Sequence, residues 1–339
     1  MEKKVSIYDI AKYLSISPAS VSYVINGIDK VSSETKKRVL QAIDELGYVR
    51  DNIARTLSTG KSQLIGLFLP TKEIAQAFRE NPFYSEYLGG IQEGISSFDY
   101  DVIISGEERS EHFIPWAKSR GLDGVIVLGK FPKSMVDDIR NLNIPVVLSD
   151  VYEEYVSGIS GVRINDFKGM YEATKYLIDN GHKKIGFVGS RYLSQVDNKR
   201  FEGYIAALKE ADLEINEQFY YDTLSTFEKG ANIALEILAR NNVTAVVCCS
   251  DALAIGIIKK YHEVGKEIPD DLSIIGFDDI RDAQYVNPTL TTLHQDISLK
   301  GIRASQIIID KINNKNDAAT IEVIEPKLVI RNSVKNIKN

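Results

Sequence analysis

The sequence predicts an all-α helix-turn-helix head followed by a two-lobed α/β body. Three observations predict it. The first sixty residues carry capped helical patterns joined by a very short turn. From residue 62 onward, short β-branched runs alternate with amphipathic helical patterns, the signature of parallel sheets covered by helices. The charge divides at the same place. Residues 1–61 hold ten Lys and Arg against seven Asp and Glu, a net of +3, whereas the remaining 31 and 40 give −9. A basic head on an acidic body suggests a nucleic-acid module attached to a second module. The chain's 339 residues suit two domains at about 150 residues each. The two cysteines, Cys248 and Cys249, are adjacent, which excludes a disulfide framework and a spaced metal or redox motif. The apolar runs are too short to span a bilayer, and MEKKVSIYDI lacks the apolar core of a signal peptide. These features predict a cytoplasmic protein with no membrane partner.

In the head, Ser6-Ile7-Tyr8-Asp9 reads as a capping box opening a helix over about 6–14, with Ile10, Ala11 and Leu14 at helical spacing. Ser17-Pro18 reads as an N-cap followed by proline at the first helical position. Val21, Val24 and Ile25 give the second helix its apolar face, ending near Asn26-Gly27. A third helix starts at Ser32 or Ser33, carries Val39, Leu40, Ile43 and Leu46, and ends at Gly47. The expected small core is Ile10, Leu14, Val21, Ile25, Val39, Ile43 and Leu46.

In such a unit the second helix enters the major groove. Ser17, Ser20, Ser22 and Asn26 suit phosphate contacts. Pro18, Ala19 and Tyr23 are left to read bases, alanine through a thymine methyl group. The alternative is a capped three-helix unit that recruits a protein partner; a steep salt dependence of DNA binding discriminates against it. Beyond residue 50, Asn52 is placed to cap a short helix to about Ser58, too short to be stable alone. Leu57 on that helix is either a wedge between base steps or a linker residue resting on the body.

In the body the expected strands are 64–69, 101–105, 124–128, 145–149, 184–188, 245–249 and 273–277, and after 290 LTTLHQD and IEVIEPKLVIR suggest returning strands. The expected helices lie near 84–97, 134–142, 167–180, 198–211, 228–240, 251–264 and 297–314. Two such α/β halves, near 62–162 and 163–291, enclose a cleft. Ligands of open α/β sheets bind beyond the carboxyl ends of the strands. Glu107, Asp150, Ser250, Asp251, Asp278 and Asp279 follow strands and are therefore pocket candidates; Asp150 and Asp251 suit helix capping as well.

No catalytic constellation is found. Thr59-Gly60-Lys61-Ser62 resembles the end of a phosphate-binding loop, but the required first glycine is Arg55. The four histidines (112, 182, 262 and 294) are dispersed, and no metal site, cofactor site or nucleophile–base pair is expected.

The runs Ile7–Ala11, Ser17–Asn26 (SPASVSYVIN), Val31–Tyr48 and Asn52–Leu57 (NIARTL) resemble, in order and spacing, the head of the LacI/GalR family of bacterial transcriptional regulators. NPFY (Asn81–Tyr84), GLDGVIVLG (Gly121–Gly129), IPVVLSD (Ile144–Asp150), GHKKIGFVG (Gly181–Gly189), KRFEGY (Lys199–Tyr204), SDALAIG (Ser250–Gly256), IIGFDD (Ile274–Asp279) and NPTLTTLHQD (Asn287–Asp296) resemble its regulatory domain. The likeness covers nearly the whole chain.

The resemblance implies a periplasmic-binding-protein-like effector domain, and three segments. These are a DNA-binding head at 1–50, a hinge at 51–61, and an effector and dimerisation domain at 62–339. Within the last, an N-subdomain takes about 62–162 and 294–323, and a C-subdomain about 163–291 and 324–339. It implies a homodimer on double-stranded operator DNA, repressing a carbohydrate operon until a mono- or oligosaccharide binds between the lobes. A purine, a nucleoside or a corepressor is the alternative ligand. Tyr8, Asn52 and Arg55 join the expected DNA contacts, with Leu57 inserted at the operator centre. Arg200 and Asp278 are the implied effector contacts, with Asp150, Ser250 and Asp251 at weaker contact positions and Phe83, Glu107 and Phe227 as further candidates. Three departures stand out. Tyr23 replaces the usual arginine of the recognition helix, ten residues (71–80) separate Pro70 from Asn81, and Ser225 stands where the family often has an aromatic.

Overall fold

The computed structural model describes residues 5–25, 27–48, 56, 60–69, 78–79, 81–106, 112–129, 131, 134–152, 156–192, 195–314 and 318–338. The chain forms two compact units, Met1–Ser62 and Gln63–Asn339.

The first unit holds α1 (Ile7–Leu14), α2 (Pro18–Ile25) and α3 (Ser33–Leu46). The capping box at α1 is complete: the Ser6 hydroxyl accepts from the Asp9 amide, and the Asp9 carboxylate accepts from the Ser6 amide at 2.8 Å. Ser17 caps α2, accepting from the Ser20 amide at 3.1 Å. Ile10, Ala11, Val21, Val24, Val39 and Ala42 are buried; Leu14, Ile25, Ile43 and Leu46 pack around them half-buried. The small residues Ala11 and Ala42 belong to this core because close helix crossings favour a methyl. Leu40, on the apolar run of α3, is 49% exposed.

The second unit holds two six-stranded sheets. The first orders β11 (Ile321–Ile324), β5 (Ser160–Ile164), β4 (Val146–Ser149), β3 (Gly124–Leu128), β1 (Leu64–Leu69) and β2 (Asp101–Gly106), all parallel. The second orders β12 (Lys327–Val329), β10 (Thr291–His294), β9 (Ser273–Asp278), β8 (Ala245–Cys248), β6 (Ile185–Gly189) and β7 (Tyr220–Asp222). Only the β10–β12 pair is antiparallel. The central strands are buried on both faces, which is why they read as apolar runs rather than alternating ones.

The helices are α4 (Phe83–Ile95), α5 (Phe113–Ser119), α6 (Ser134–Asn141), α7 (Asp166–Asp179), α8 (Gln195–Glu210), α9 (Phe227–Arg240), α10 (Asp251–Glu263) and α11 (Ile297–Ile312). They pair as α4 with α11, α7 with α8, and α9 with α10. The chain changes sheets after β5, after β10 and again between β11 and β12. β10 runs three residues past the boundary expected at 291, and β5 runs two past the one expected at 162. Three elements were not expected: α5, β5 and β7. Among the described residues no helix is long and apolar enough to cross a membrane.

Candidate functional site

The cleft between the two sheets is lined from the carboxyl ends of the strands. β4 delivers Asp150, β9 delivers Asp278, and the residue after β5 and its cap, Asp166, opens α7. Both Asp150 (φ 58°) and Asp278 (φ 118°) have positive φ. Aspartate tolerates the first value; the second is a strained conformation of the kind that persists at functional sites, at a cost of about 1–3 kcal/mol.

Arg200, on α8, is buried against the second sheet. Its Nε donates to Asp166 Oδ1 at 2.7 Å, and its Nη1 donates to the Cys249 carbonyl and lies 3.7 Å from Asp278 Oδ1. The guanidinium stacks 3.6 Å from the Phe277 ring centroid. The Tyr152 hydroxyl lies against the Asp166 carboxylate. Asp278 accepts from Gln295 Nε2 at 2.5 Å, and Gln295 Oε1 accepts from Lys300 Nζ at 3.2 Å. Lys300, 1% exposed, donates to Asp150 Oδ2 at 2.7 Å. One polar chain thus runs from Asp150 at the first sheet, through Lys300 and Gln295, to Asp278, Arg200 and Asp166 at the second.

Aromatic faces close the site. Lys300 Nζ sits 4.5 Å over the Phe83 ring, which lies parallel to Tyr87 at 6.1 Å and edge-on to Tyr84 at 5.4 Å. Phe227, the first residue of α9, packs half-buried on the same apolar cluster as Phe83. Asp150 Oδ1 is buried and has no hydrogen-bond partner among the described residues. An orphaned buried carboxylate oxygen is costly and leaves an acceptor without its donor. Burial pushes the Asp278 carboxyl up to about 7 against the opposing pull of Arg200, and burial raises Asp166 against the same pull.

The structure therefore brings Arg200, Asp278, Asp150, Phe83 and Phe227 to one cleft. Ser250 is the N-cap of α10, accepting from the Leu253 amide at 3.3 Å. Asp251 turns inward: its oxygens accept from the Ile280 amide at 2.9 Å and the Thr292 hydroxyl at 2.5 Å, fastening β10 to the turn after β9. Asp279 pairs with Arg331 at 2.5 Å and His294 at 3.1 Å. Glu107 lies outside the described residues. Sequence reasoning missed Lys300, Asp166, Gln295 and Tyr152.

In the head, Tyr8 is 69% exposed. Ser17 and Ala19 are exposed, and Pro18, Ser20, Ser22 and Tyr23 are half-buried along α2. Lys30 Nζ lies 5.5 Å over the Tyr23 ring, which brings a cation beside the aromatic that replaces the usual arginine. Asn26, Asn52, Arg55 and Leu57 lie outside the described residues.

Residues 6–51 match the family described as bacterial regulatory proteins, lacI family, and residues 174–334 match a periplasmic binding protein-like domain. The HTH-type transcriptional repressor PurR of Pasteurella multocida is 33% identical, over 98% of this chain and 99% of its own length. The chain belongs to the LacI family. The ribose operon repressor of Haemophilus influenzae is 31% identical over 97% of this chain and 98% of its own. The lac repressor dimer bound to operator has the same fold, with a TM-score of 0.84 and 22% identity over 98% of this chain and all of that one. This LacI-family protein is a DNA-binding transcriptional repressor, not an enzyme, and the partners typical of the family are operator DNA and a small-molecule effector.

Proposed function

We propose that this LacI-family repressor controls a carbohydrate-utilisation operon and leaves its operator when a small sugar, a pentose such as ribose in the simplest case, binds between the lobes. The observation that carries this reading is the unpartnered Asp150 Oδ1 in a buried, aromatic-walled cleft that also holds Arg200 and Asp278. A sugar supplies hydroxyl donors to carboxylates, hydroxyl acceptors to a guanidinium, and a C–H face to an aromatic ring. The likeness to a ribose operon repressor supports the same class.

In this reading residues 1–50 read DNA, 51–61 act as the hinge and 62–339 bind effector and dimerise, in the cytoplasm. Two heads of a homodimer read a pseudopalindrome. Tyr8, Ser17, Ser20, Ser22, Asn26, Asn52 and Arg55 position the protein on phosphates. Pro18, Ala19 and Tyr23 read base edges, and Leu57 wedges the operator centre. The likeness to PurR favours a second reading, in which a purine base or nucleoside fills the cleft and tightens operator binding.

In vitro selection of random duplex DNA identifies the operator; filter binding then follows its occupancy with added monosaccharides or purines. The expected result is a motif with half-sites about one helical turn apart, released by a pentose. Tightening by a purine, with no response to any sugar, rejects the sugar reading in favour of the second.

A further inference from the structure

We infer that the cleft takes its effector in the uncharged, unphosphorylated form, because among the described residues its buried cations are already held by the chain's own carboxylates and the helix starts beside it carry buried acid. This deepens the sugar reading and rests on it for the choice of ligand. Recognition of a phosphate needs Arg or Lys donors, or backbone amides at a helix N-terminus, left available for it.

Among the described residues, the cleft's two buried cations are both engaged, and Arg163 at its margin stacks 4.7 Å over the Tyr152 ring. Lys300 is held between Asp150 Oδ2 and Gln295 Oε1, with the Phe83 ring 4.5 Å from its nitrogen. Arg200 is held by Asp166, the Cys249 carbonyl and Asp278, with Phe277 covering one face.

The starts of α7 and α10 have neutral caps, Asn165 Oδ1 accepting from the Lys168 amide and the Ser250 hydroxyl from the Leu253 amide, and each then carries acid. Asp166 is the first residue of α7 and Asp251 the first of α10, and both are buried. Asp197, in the first turn of α8, already takes the Ser190 amide at 2.8 Å. The buried carboxylates Asp150, Asp166, Asp197, Asp251 and Asp278 number five against two buried cations among the described residues. The upward displacement of Asp166 and Asp278 reports the same surplus of acid in a dry site. A phosphate dianion entering here meets no available cation among these groups and forces carboxylates to take up protons. A hydroxyl meets Asp150 Oδ1, which has no hydrogen-bond donor among the described residues.

The test is calorimetric titration of the full-length protein with ribose, glucose, galactose and fructose, each beside its phosphate ester, and with adenosine beside adenosine 5′-monophosphate. The expected result is one parent sugar that binds, with its ester weaker by about a hundredfold or more. An ester that binds as tightly as its parent overturns the inference and leaves the sugar reading standing. Adenosine binding with its monophosphate excluded leaves the charge inference standing and overturns the sugar reading. Asp166→Asn removes one charge and releases one face of Arg200. It should narrow the gap between parent and ester about tenfold, whereas mere loss of packing weakens both alike and leaves their ratio unchanged.

Discussion

Lys300 and Asp150 lie 150 positions apart and form a buried ion pair. Removing one partner of such a pair leaves an uncompensated charge, which costs about 3–5 kcal/mol, whereas replacing both with neutral groups costs far less. Lys300→Met should therefore destabilise the body by roughly that amount in urea denaturation, and Lys300→Met combined with Asp150→Asn should recover most of it. If the double variant is no more stable than the single, the pair is not coupled. Asp278 makes a pH prediction. Its folded pKa is about 7, against an ordinary value of 3.8. Between those values the folded state binds the extra proton, so this group's contribution to stability is complete below about 4 and lost as pH rises through about 7. The wild type should thus gain on Asp278→Asn as pH falls from about 7 to about 4, measured as the difference between two denaturation series; a constant difference refutes it. Legibility divides along the same line. Asp278 and Asp150 were readable because they follow apolar strand runs, and Arg200 through the family likeness. Lys300 in Ile297–Ile312 reads as an ordinary surface lysine, and Asp166 as a helix-opening acid. Only the fold brings Lys300 to Asp150 and Asp166 to Arg200. Asp251 was ambiguous for the opposite reason: the same strand-to-helix position serves a ligand or an internal fastening, and here it fastens Ile280 and Thr292.

At the scale of elements, the cleft depends on how α4 and α11 cross. Gly90 on α4 lies directly against the Ser298 carbonyl, and a Cβ at Gly301 on α11 would stand 2.5 Å from the Tyr87 carbonyl. The two helices meet backbone to backbone there. The crossing aims Lys300, Phe83 and Tyr87 into one site, since Lys300 and Tyr87 sit within a turn of it and Phe83 one turn further along α4. Gly301→Ala must push the helices apart by tenths of an ångström or more. Overpacking of this kind costs about 1–3 kcal/mol, so chemical denaturation should show that loss and calorimetry a weakened effector affinity. An unchanged midpoint would mean the helix pair slides freely and does not set the site. The elements that were legible are the ones whose burial leaves a pattern. Central parallel strands read as apolar runs, and paired helices as 3.6-residue periodicity. The elements that were not legible are short and lack both. SGVRI of β5 mixes Arg with Gly, YYD of β7 has three residues, and FIPWAKS of α5 is two turns with Pro115 in the first.

For the whole molecule the governing quantity is the coupling free energy between the effector cleft and operator DNA. Coupling of this kind is typically about 1–3 kcal/mol, or about 5–150-fold in affinity. Its sign separates the two ligand classes: an inducing sugar lowers operator affinity, and a purine corepressor raises it by a comparable factor. Linkage makes the effect reciprocal, so for a dimer with two effector sites the factor by which saturating effector changes operator affinity must equal the product of the factors by which operator changes effector affinity at the two sites. Both halves can be measured on the full-length protein, the first by operator binding with and without saturating effector, the second by effector titration with and without saturating operator. They must be taken at one salt concentration. The head carries a net +3, and counterion release makes operator affinity fall steeply with salt, whereas an uncharged effector held in a buried cleft should respond little. For two equivalent sites, an operator factor equal within error to the square of the per-site effector factor is the expected outcome. An effector that binds the cleft yet gives a factor of one in both directions would mean that the network from Asp150 to Asp166 holds ligand without biasing the head, and control of the operator would then have to come through another surface.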